Sequence, residues 1–382
     1  MTASACDCES AHGEYWYRTR EGFEHALRRH GTQTEAAVTH NVAPQTLSLW
    51  RERVGLPKGK SGTPSTRPID PEDSWLLDII TARKDRATVD EIADLADVSP
   101  RRVREAATRL VAKGFRLNLD EHHVTLERVA PARSDKLHPS LFDGEHIRVG
   151  IVSDTHLGAN EQALEELELA YDMFVSEGVS QVWHAGDWGT GVGMFRTHHA
   201  ESQVHTLDQQ VQYLVENYPS RPGIVTRGIS GNHDIEGDAG RVGFDIAAAF
   251  AAERDDIDYL GVYDAWIETR PDTGRYIHLL HGAGGMSYSW SYKAQKLVDG
   301  YPSARKPGLL IVGHWHVRGS VRARDVEVLW PGCFEWQSPF LKRLGLQASV
   351  GFHILDMTVG DDGTIVRFRP EWFPFYPGRV VD

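Results

Sequence analysis

The segment HIRVGIVSDTH, residues 146–156, decides the fold class of this chain. Its apolar portion, His146–Val152, predicts a buried β-strand, and Asp154 and His156 follow where that strand ends. The same arrangement of an apolar run followed by polar residues recurs in the C-terminal part of the chain, with a helix predicted at 162–176. The other predicted strands span residues 179–184, 223–230, 276–280 and 308–312. Strands that alternate with helices predict a layered α/β domain whose loops meet at the strand ends.

Each predicted strand leads into a short motif of residue types that bind metal ions. The five motifs, in chain order, are Asp154-Thr-His156, Gly186-Asp187, Gly231-Asn232-His233-Asp234, His281-Gly282 and Gly313-His314-Trp-His316. Divalent transition metals bind imidazole nitrogens and carboxylate or amide oxygens, and glycine allows the backbone to turn sharply beside an ion. One such motif alone is more often a surface turn or a hydrogen-bonded core histidine. Five in this order predict the ligands of two adjacent metal ions.

Over about residues 146–335, this motif set resembles the calcineurin-like metallophosphoesterases. The resemblance implies a four-layer αββα sandwich, in which two sheets are flanked by helices. It also implies two groups of metal ligands and a bridging carboxylate. The first group is Asp154, His156 and His316, the second is Asn232, His281 and His314, and the bridge is Asp187. The mixed oxygen and nitrogen ligands favour Mn²⁺, with Fe or Zn as alternatives.

The resemblance further implies how such a site hydrolyses a phosphoester. A hydroxide activated between two metal ions attacks phosphorus in line, and no covalent protein intermediate forms. His233 matches the family's proton donor to the leaving oxygen, and the alternative is a histidine that orients Asp154. For Asp234, two roles are open: orienting His233 or capping the helix that follows.

The residues after Asp187 separate branches of that superfamily. The protein Ser/Thr phosphatases extend this motif to Gly-Asp-x-x-Asp-Arg-Gly, whereas this chain reads GDWGTG over residues 186–191. The difference argues against a phosphoprotein phosphatase. The branch of the double-strand-break repair exonucleases and several branches of small phosphodiesterases match the five motifs equally well. The motifs therefore predict the chemistry and leave the substrate open.

Residues 1–56 predict a helix-turn-helix. Thr32 and Glu35 have the spacing of a capping box, and Pro44 lies in the first turn of the third helix. That third helix would enter a DNA groove, with Gln45, Ser48, Arg51 and Arg53 as candidate contacts. The alternative is a helical packing module that does not bind DNA. A linker rich in turn-forming residues is predicted over residues 57–71.

Residues 72–129 resemble a winged helix-turn-helix. Thr88 with Glu91 predicts a second capping box, and Ser99 caps a helix that begins at Pro100. Ile92 and Leu95 are expected to face inward, and a hairpin is expected over residues 115–126. The candidate DNA contacts are Arg101, Arg102 and Arg104, on the same helix as Arg109 and Lys113. The alternatives are a solvated helix face and a protein-interaction module; a second linker is predicted at 130–145.

Charge is distributed unevenly along the 382 residues. Residues 1–144 carry 21 Lys and Arg against 22 Asp and Glu, whereas residues 145–382 carry 20 against 32. The C-terminal part therefore shows no sign of a broad basic groove for nucleic acid. The sequence has no apolar run of about twenty residues and no secretory signal, so we expect a cytoplasmic protein without a membrane partner. The three cysteines, Cys6, Cys8 and Cys333, agree with a reducing compartment.

Three further segments are candidates for substrate or subunit contacts. Aromatic residues and a lysine after His281 would either stack a nucleobase or pack in the core: Tyr288, Trp290, Tyr292 and Lys293. Arg196, His198 and His199 lie either at the entrance of the site or in a solvated loop. The C-terminal aromatics are expected to cover a sheet edge or to form a homo-oligomer contact: Phe368, Trp372, Phe373, Phe375 and Tyr376.

Two functional hypotheses follow from the sequence. The first is a DNA-associated, nuclease-like phosphodiesterase that the N-terminal units deliver to nucleic acid. The second is a hydrolase of small phosphoesters or cyclic nucleotides whose N-terminal units regulate or assemble it. A DNA-binding regulator with an inactive metal domain is a third reading, which the intact ligand set disfavours.

Overall fold

A computed structural model describes residues 71–131, 135–142, 144–285, 287–343 and 345–377 of the chain. The chain divides into two compact units, Met1–Arg67 and Pro68–Asp382, and the described residues all belong to the second. The predicted helix-turn-helix, with Gln45, Arg51 and Arg53, lies outside the described residues, as do residues 57–70 of the first linker. None of the helices in the described part is long and apolar enough to cross a membrane.

Helices and strands are numbered in chain order from residue 71. The helices are α1 (Pro71–Ala82), α2 (Val89–Ala96), α3 (Pro100–Ala112), α4 (Leu164–Ser176), α5 (His198–Glu201), α6 (Leu207–Asn217), α7 (Asn232–Ile235), α8 (Gly237–Val242), α9 (Ile246–Ala252), α10 (Trp290–Asp299) and α11 (Pro339–Arg343). The strands are β1 (Arg86–Thr88), β2 (Leu117–Leu119), β3 (His123–Leu126), β4 (Leu137–His138), β5 (His146–Val152), β6 (Gln181–His184), β7 (Val225–Ser230), β8 (Ile257–Val262), β9 (Asp264–Glu268), β10 (Tyr276–His281), β11 (Leu309–Gly313), β12 (Arg318–Ala323), β13 (Val326–Pro331), β14 (Gly351–Val359) and β15 (Ile365–Pro374). A 3-10 turn spans Ser303–Arg305.

Two six-stranded mixed sheets form the body of the α/β part. The strand order is β15-β14-β5-β6-β7-β8 in the first sheet and β12-β13-β11-β10-β9-β4 in the second. In the first sheet β5, β6, β7 and β8 run parallel, and in the second β10 runs parallel to β11 and β11 to β13. Carboxyl ends of parallel strands meet at one edge of a sheet, which gathers the loops that follow them.

Alternating side chains divide the sandwich into layers. Ile147, Val149 and Ile151 of β5 join residues of the second sheet in a core between the two sheets. On the outer face of the first sheet, α4 packs with Phe174 against the strands, and on the outer face of the second sheet α10 packs with Ala294. Because successive residues of a strand point to opposite faces, each central strand serves two cores. The predicted α/β fold with helices outside two sheets is confirmed.

The predicted strands are present: β5 has the predicted bounds, and the ends of the others are shifted by one or two residues. Helix α4 begins at Leu164 and not at residue 162, because residues 162–163 pair with another segment. Gln162 bridges to Glu335, and the Ala163 N–H donates to the Phe334 carbonyl at 2.7 Å. At the C-terminus, the aromatics expected to cover a sheet edge lie largely in β15, which is itself that edge.

The segment 71–129 forms a small unit of three helices and an antiparallel sheet ordered β1-β3-β2. The predicted N-caps are present: Thr88 Oγ1 accepts from Glu91 N at 3.1 Å, and Ser99 Oγ accepts from Arg102 N at 3.3 Å. The second bond of the predicted capping box at Thr88 does not form, because the Glu91 carboxylate pairs with Arg83 at 3.1 Å. The predicted hairpin is β2 with β3, and β1 is an additional strand. The unit's identity as a winged helix remains a prediction.

The inward orientation expected for Leu95 is wrong. Leu95 is 52% exposed, whereas Ile92 is buried as expected. The buried face of α2 consists of Val89, Ile92 and Ala93. At 3.6 residues per turn, Leu95 lies about a third of a turn away from the centre of that face.

The small unit packs directly on the α/β part. The rings of Phe115 and Phe244 make an edge contact with centroids 5.2 Å apart. The predicted second linker also has structure, because β4 pairs with β9 through Leu137 opposite Trp266. Leu141 and Phe142 then pack against the core between the sheets.

Candidate metal centre

The strand ends of both sheets bring the motif residues together. Asp154 and His156 follow β5, and Asp187 follows β6. Asn232 begins α7 directly after β7, and His281 ends β10. His314 and His316 follow β11. Residues far apart in sequence therefore converge because their strands are neighbours in two facing sheets.

Three groups of potential ligand atoms converge, and within each group the atoms lie within 4.8 Å of one another. The groups are Asp154, His156 and His316; His156, Asp187 and His233; and Asp187, His281 and His314. Asp187 belongs to two groups, as a bridging carboxylate would. Asn232 completes the third group, because its Oδ1 lies 3.1 Å from His281 Nε2 and 2.9 Å from His314 Nδ1.

The spacing of these atoms fits divalent metal ions. His156 Nε2 lies 3.0 Å from His316 Nε2, and Asp187 Oδ2 lies 3.2 Å from His281 Nε2. Two ligands about 2.1 Å from one ion, at a right angle, are about 3 Å apart. Such groups of imidazole and carboxylate, without thiolate, are consistent with a binuclear centre.

Backbone conformation directs these side chains toward the centre. Five of the seven predicted ligands have positive φ angles, although none of them is glycine: Asp154 (51°), His156 (42°), Asp187 (58°), His314 (87°) and His316 (54°). A non-glycine residue in this region is uncommon, because each costs about 1–3 kcal/mol and persists only where the surrounding structure enforces it. Left-handed residues concentrated at one site mark a functional centre.

Two glycines are required by close approach to the ligand loops. A Cβ on Gly231 would overlap the Asp187 carboxylate, and a Cβ on Gly313 would overlap the Ala185 carbonyl and the Ser153 hydroxyl. Any side chain at either position would displace a ligand loop.

Burial keeps most of the imidazoles neutral, which is the form that binds metal. It lowers the pKa of His314 to about 4 and that of His316 to about 3, and it lowers the pKa of His156 well below its ordinary value. Burial also opposes the charged form of His281, but the adjacent Asp187 carboxylate raises the pKa of His281 to about 9. A metal ion binding there would displace the His281 proton.

Asp234 organises the backbone of two ligand loops. Its carboxylate accepts N–H bonds from Gly231 at 2.8 Å, Asp187 at 3.0 Å, Trp188 at 3.2 Å and Gly189 at 3.3 Å. Burial raises the pKa of Asp234, and these four donors oppose that shift because they bind the ionised form. The bond from Gly231 belongs to a capping box at the start of α7, so Asp234 does cap a helix, although it caps its own helix and not the one that follows.

His233 is held beside the ligands by the loop after Asp187. Its Nδ1 donates to the Thr190 carbonyl at 2.6 Å, and its backbone N–H donates to Asp187 Oδ1 at 2.8 Å. Its ring centroid lies 4.5 Å from that of His156. Among the described residues, no hydrogen bond joins His233 to Asp154, so the alternative of a histidine that orients Asp154 finds no support in this contact pattern.

A sequence profile of the calcineurin-like phosphoesterase superfamily domain matches residues 147–350, more than half of the chain. The chain belongs to the calcineurin-like phosphoesterase superfamily. With the converging ligand atoms, this membership identifies a metal-dependent phosphoesterase. No curated protein matches the chain.

Several solved structures are similar to this phosphoesterase. A novel archaeal phosphodiesterase shares 16% identity, with 59% of this chain and 100% of that chain covered and a TM-score of 0.34. A predicted phosphoesterase from Streptococcus pneumoniae shares 16% identity, covering 61% and 100%, at a TM-score of 0.29. Vps29 of Entamoeba histolytica, complexed with Zn²⁺, shares 14% identity, covering 60% and 100%, at a TM-score of 0.30.

The metal site of this phosphoesterase opens into a cavity of about 550 Å³. Apolar side chains contribute much of its lining: Met194, Phe195, Trp315, Leu341 and Leu346. Three of its acidic residues lie outside the predicted ligand set: Glu201, Glu236 and Glu335. Lys and Arg are absent from the described residues that line it.

The structure also shows which residues of the loop after Asp187 line the site and which face solvent. His198 is buried, lines the cavity and lies 3.3 Å from Thr190 Oγ1 through its Nε2. Arg196 and His199 are exposed, as a solvated loop predicts. The sequence could not show which of these three residues faces the cavity, because all three lie in the same short polar segment.

Glu335 is a residue of the site that lies outside the five motifs. Its carboxylate is 3.5 Å from His316 Nδ1, while His316 Nε2 faces the other ligands. Burial, reinforced by nearby carboxylates, raises the pKa of Glu335 to about 8. No periodicity or motif spacing singles out this position in the sequence.

The aromatic segment after His281 is more exposed than the core-packing alternative predicts. Tyr288 is fully exposed and Tyr292 is 52% exposed, so core packing is wrong for these two residues. Lys293 Nζ lies 5.7 Å from the centre of the Trp315 ring. Trp315 in turn donates from Nε1 to the Gly284 carbonyl at 2.7 Å.

The candidate DNA-contacting arginines of α3 lie apart from the cavity and have partners within the small unit. Arg101 pairs with Glu105 at 2.7 Å, and Arg102 lies 3.4 Å from Asp73. Arg104 donates to the carbonyls of the β2–β3 turn, one of them Asp120 at 3.2 Å. DNA binding by these residues remains a prediction.

Proposed function

We propose that this phosphoesterase hydrolyses small phosphodiesters that carry an apolar ester group. When bound, two divalent metal ions supply an activated water nucleophile and stabilise charge on the phosphoryl oxygens. The ligands that would hold them are the seven predicted from the sequence, because their atoms converge in the groups described above. The observation that carries the choice of substrate is the composition of the cavity wall.

The cavity wall favours a small, singly charged substrate. A polynucleotide presents a row of phosphates, and the sites that bind it use Lys and Arg to neutralise them. Here the described lining has no basic side chain other than histidine and includes Glu201, Glu236 and Glu335. The carboxylates of Glu201 and Glu236 repel a doubly charged phosphomonoester more strongly than a singly charged phosphodiester. The apolar lining suits a hydrophobic or aromatic ester group.

His233 is placed to assist departure of the leaving group. Because its Nδ1 is bonded to the Thr190 carbonyl, Nε2 is the ring nitrogen that remains to hold a proton for the leaving oxygen. His233 also lines the cavity, so a bound ester can reach it. The bond to Thr190 orients the ring without requiring contact with Asp154.

A second candidate is the DNA-associated nuclease expected from the sequence. The exposed side chain of Arg101 on α3 and the predicted helix-turn-helix of residues 1–56 support it. In that case the small unit would bind duplex DNA, and the strand to be cut would have to reach the acidic cavity. The cavity wall disfavours this arrangement.

The two candidates are separated by a substrate panel assayed in parallel with Mn²⁺. The panel contains bis-p-nitrophenyl phosphate, p-nitrophenyl phosphate, a 2′,3′-cyclic nucleotide, single-stranded DNA and duplex DNA. We expect the small diesters to turn over fastest, the monoester more slowly, and neither DNA to be cut. An Asp187→Asn variant purified in the same way controls for contaminating hydrolases. DNA cleavage at rates comparable with those of the small diesters would instead establish the nuclease.

A further inference from the structure

Arg116 joins the small unit to the loop that carries Asn232 and His233. Its guanidinium donates to four backbone carbonyls: Glu127 at 3.0 Å, Arg128 at 2.7 Å, Ile235 at 3.2 Å and Phe244 at 3.0 Å. The first two carbonyls belong to the small unit and the last two to the α/β part. One planar side chain therefore spans the junction.

The Ile235 carbonyl is the acceptor closest to the metal centre in sequence. Ile235 is the last residue of α7, the four-residue helix that begins at Asn232. A helix this short is not stable by itself, and its final carbonyls have no partner within the helix. The Arg116 guanidinium supplies one such partner, three residues after Asn232 and two after His233.

The residues around Arg116 form a continuous seam with the segment after α7. The Arg116 N–H donates to the Gly243 carbonyl at 2.6 Å, and the Gly114 carbonyl accepts from Asp245 N at 2.8 Å. Gly114 has φ +94°, and a Cβ there would lie 2.7 Å from the Asp245 carbonyl oxygen. Phe115, between them, makes the edge contact with Phe244. The seam therefore needs a glycine at 114.

Arg116 bonds carbonyls and no carboxylate. Among the described residues, all four acceptors of its guanidinium are backbone carbonyls. Burial lowers the pKa of Arg116, and the charge of the nearby Asp245 opposes that shift. Arg116 joins the two parts through the geometry of its hydrogen bonds, because the planar guanidinium has five N–H donors that reach acceptors on both sides of the junction. An ammonium at the end of a flexible chain cannot span them in the same way.

We propose that Arg116 is a positioning residue, through which the small unit holds α7 and thereby sets the placement of His233 and Asn232. The inference rests on the proposed hydrolytic function for its kinetic part only. It makes residues 71–129 a structural support of the catalytic loop, in addition to any binding role. A substitution that breaks these hydrogen bonds should then change metal affinity and turnover.

The test uses full-length Arg116→Ala and Arg116→Lys, with Arg270→Ala as the matched control. Arg270 also donates to two backbone carbonyls of a distant segment, Gly360 at 2.9 Å and Val359 at 3.2 Å. Those acceptors lie at the end of the first sheet opposite the metal ligands. All three variants should lose thermal stability, because each leaves buried carbonyls without a donor.

Only the Arg116 variants should change the metal centre. We expect kcat for bis-p-nitrophenyl phosphate to fall about tenfold or more with KM changed less than about threefold, and one Mn²⁺ dissociation constant to rise about tenfold in calorimetric titration. The lysine variant should not restore either value. If both Arg116 variants match Arg270→Ala in kcat and in metal affinity, the inference is wrong.

The titration separates this inference from the proposed function. If the wild-type protein binds two Mn²⁺ ions and hydrolyses no ester, the proposed function fails while the metal affinities still test Arg116. If the alanine variant does not fold, the lysine variant supplies both measurements. Loss of affinity in the lysine variant supports the inference, and wild-type affinity together with wild-type turnover overturns it.

Discussion

Replacement of the Asp234 carboxylate by an amide tests how the metal ligands are held in place. Asp234 is fully buried and is bonded by N–H groups of Gly231, Asp187, Trp188 and Gly189. In Asp234→Asn, one of the two acceptor oxygens becomes an N–H donor. The shape of the side chain is kept, so the change in hydrogen bonding is isolated from any change in packing.

The size of the effect follows from the bonds that are lost. If the remaining oxygen occupies the position of Oδ2, it keeps the bonds from Gly231 and Asp187, and the new amide faces the Gly189 N–H. Two buried donors then face each other, and each unsatisfied donor costs about 1–3 kcal/mol. We therefore expect the free energy of unfolding to fall by about 4 kcal/mol. Displacement of the Asp187 backbone should also weaken metal binding about ten- to a hundredfold.

Both quantities are measurable on purified protein. Urea denaturation followed by tryptophan fluorescence, with a chelator present, gives the stability without a contribution from metal. Calorimetric titration with Mn²⁺ gives the affinity. Asp238→Asn is the matched control, because Asp238 lies four residues further on and pairs with Arg241 at the surface. That control should change stability by less than about 1 kcal/mol. A loss below about 1 kcal/mol in Asp234→Asn would refute the reasoning.

Three further outcomes are expected. Asp187→Asn should lose metal and activity together, because Asp187 joins two of the converging groups; calorimetry and turnover measure the two losses. His233→Ala should retain both metal ions and lose about 10²–10⁴-fold in kcat, and retained turnover would exclude it as the proton donor. Glu335→Gln should weaken metal binding about tenfold, because it removes the carboxyl group that lies 3.5 Å from His316 Nδ1, whereas Glu161→Gln, a neighbouring acid, should change it less than twofold; equal effects would contradict this role of Glu335.

Much of the fold could be predicted because its signals are local. The apolar run His146–Val152 forms β5 with the predicted bounds, and the caps at Thr88 and Ser99 hold as expected. These features depend on residues within one turn or one strand of each other. Leu95 was misplaced because the centre of a short helix face depends on what packs against it.

The functions of several site residues could not be predicted because their partners are distant in sequence. The donors to Asp234 include the turn after β6, and the carboxylate facing His316 comes from Glu335 after β13. His198 is buried by the cavity wall, although its sequence neighbours are exposed. Contacts of this kind arise only when loops from different strands are packed together, and no spacing along the chain encodes them.

The sequence by itself determined which atoms are available to metal and which chemistry they serve, because the ligand types, glycines and strand ends form compact motifs that are local in the chain. The tertiary structure decided what lies around them: an acidic and apolar cavity instead of a basic groove, and an arginine of the small unit bonded to the loop that carries Asn232 and His233. The physical reason is that substrate selection and loop support depend on which surfaces face the metal centre, and that is settled by the packing of two sheets and their neighbours.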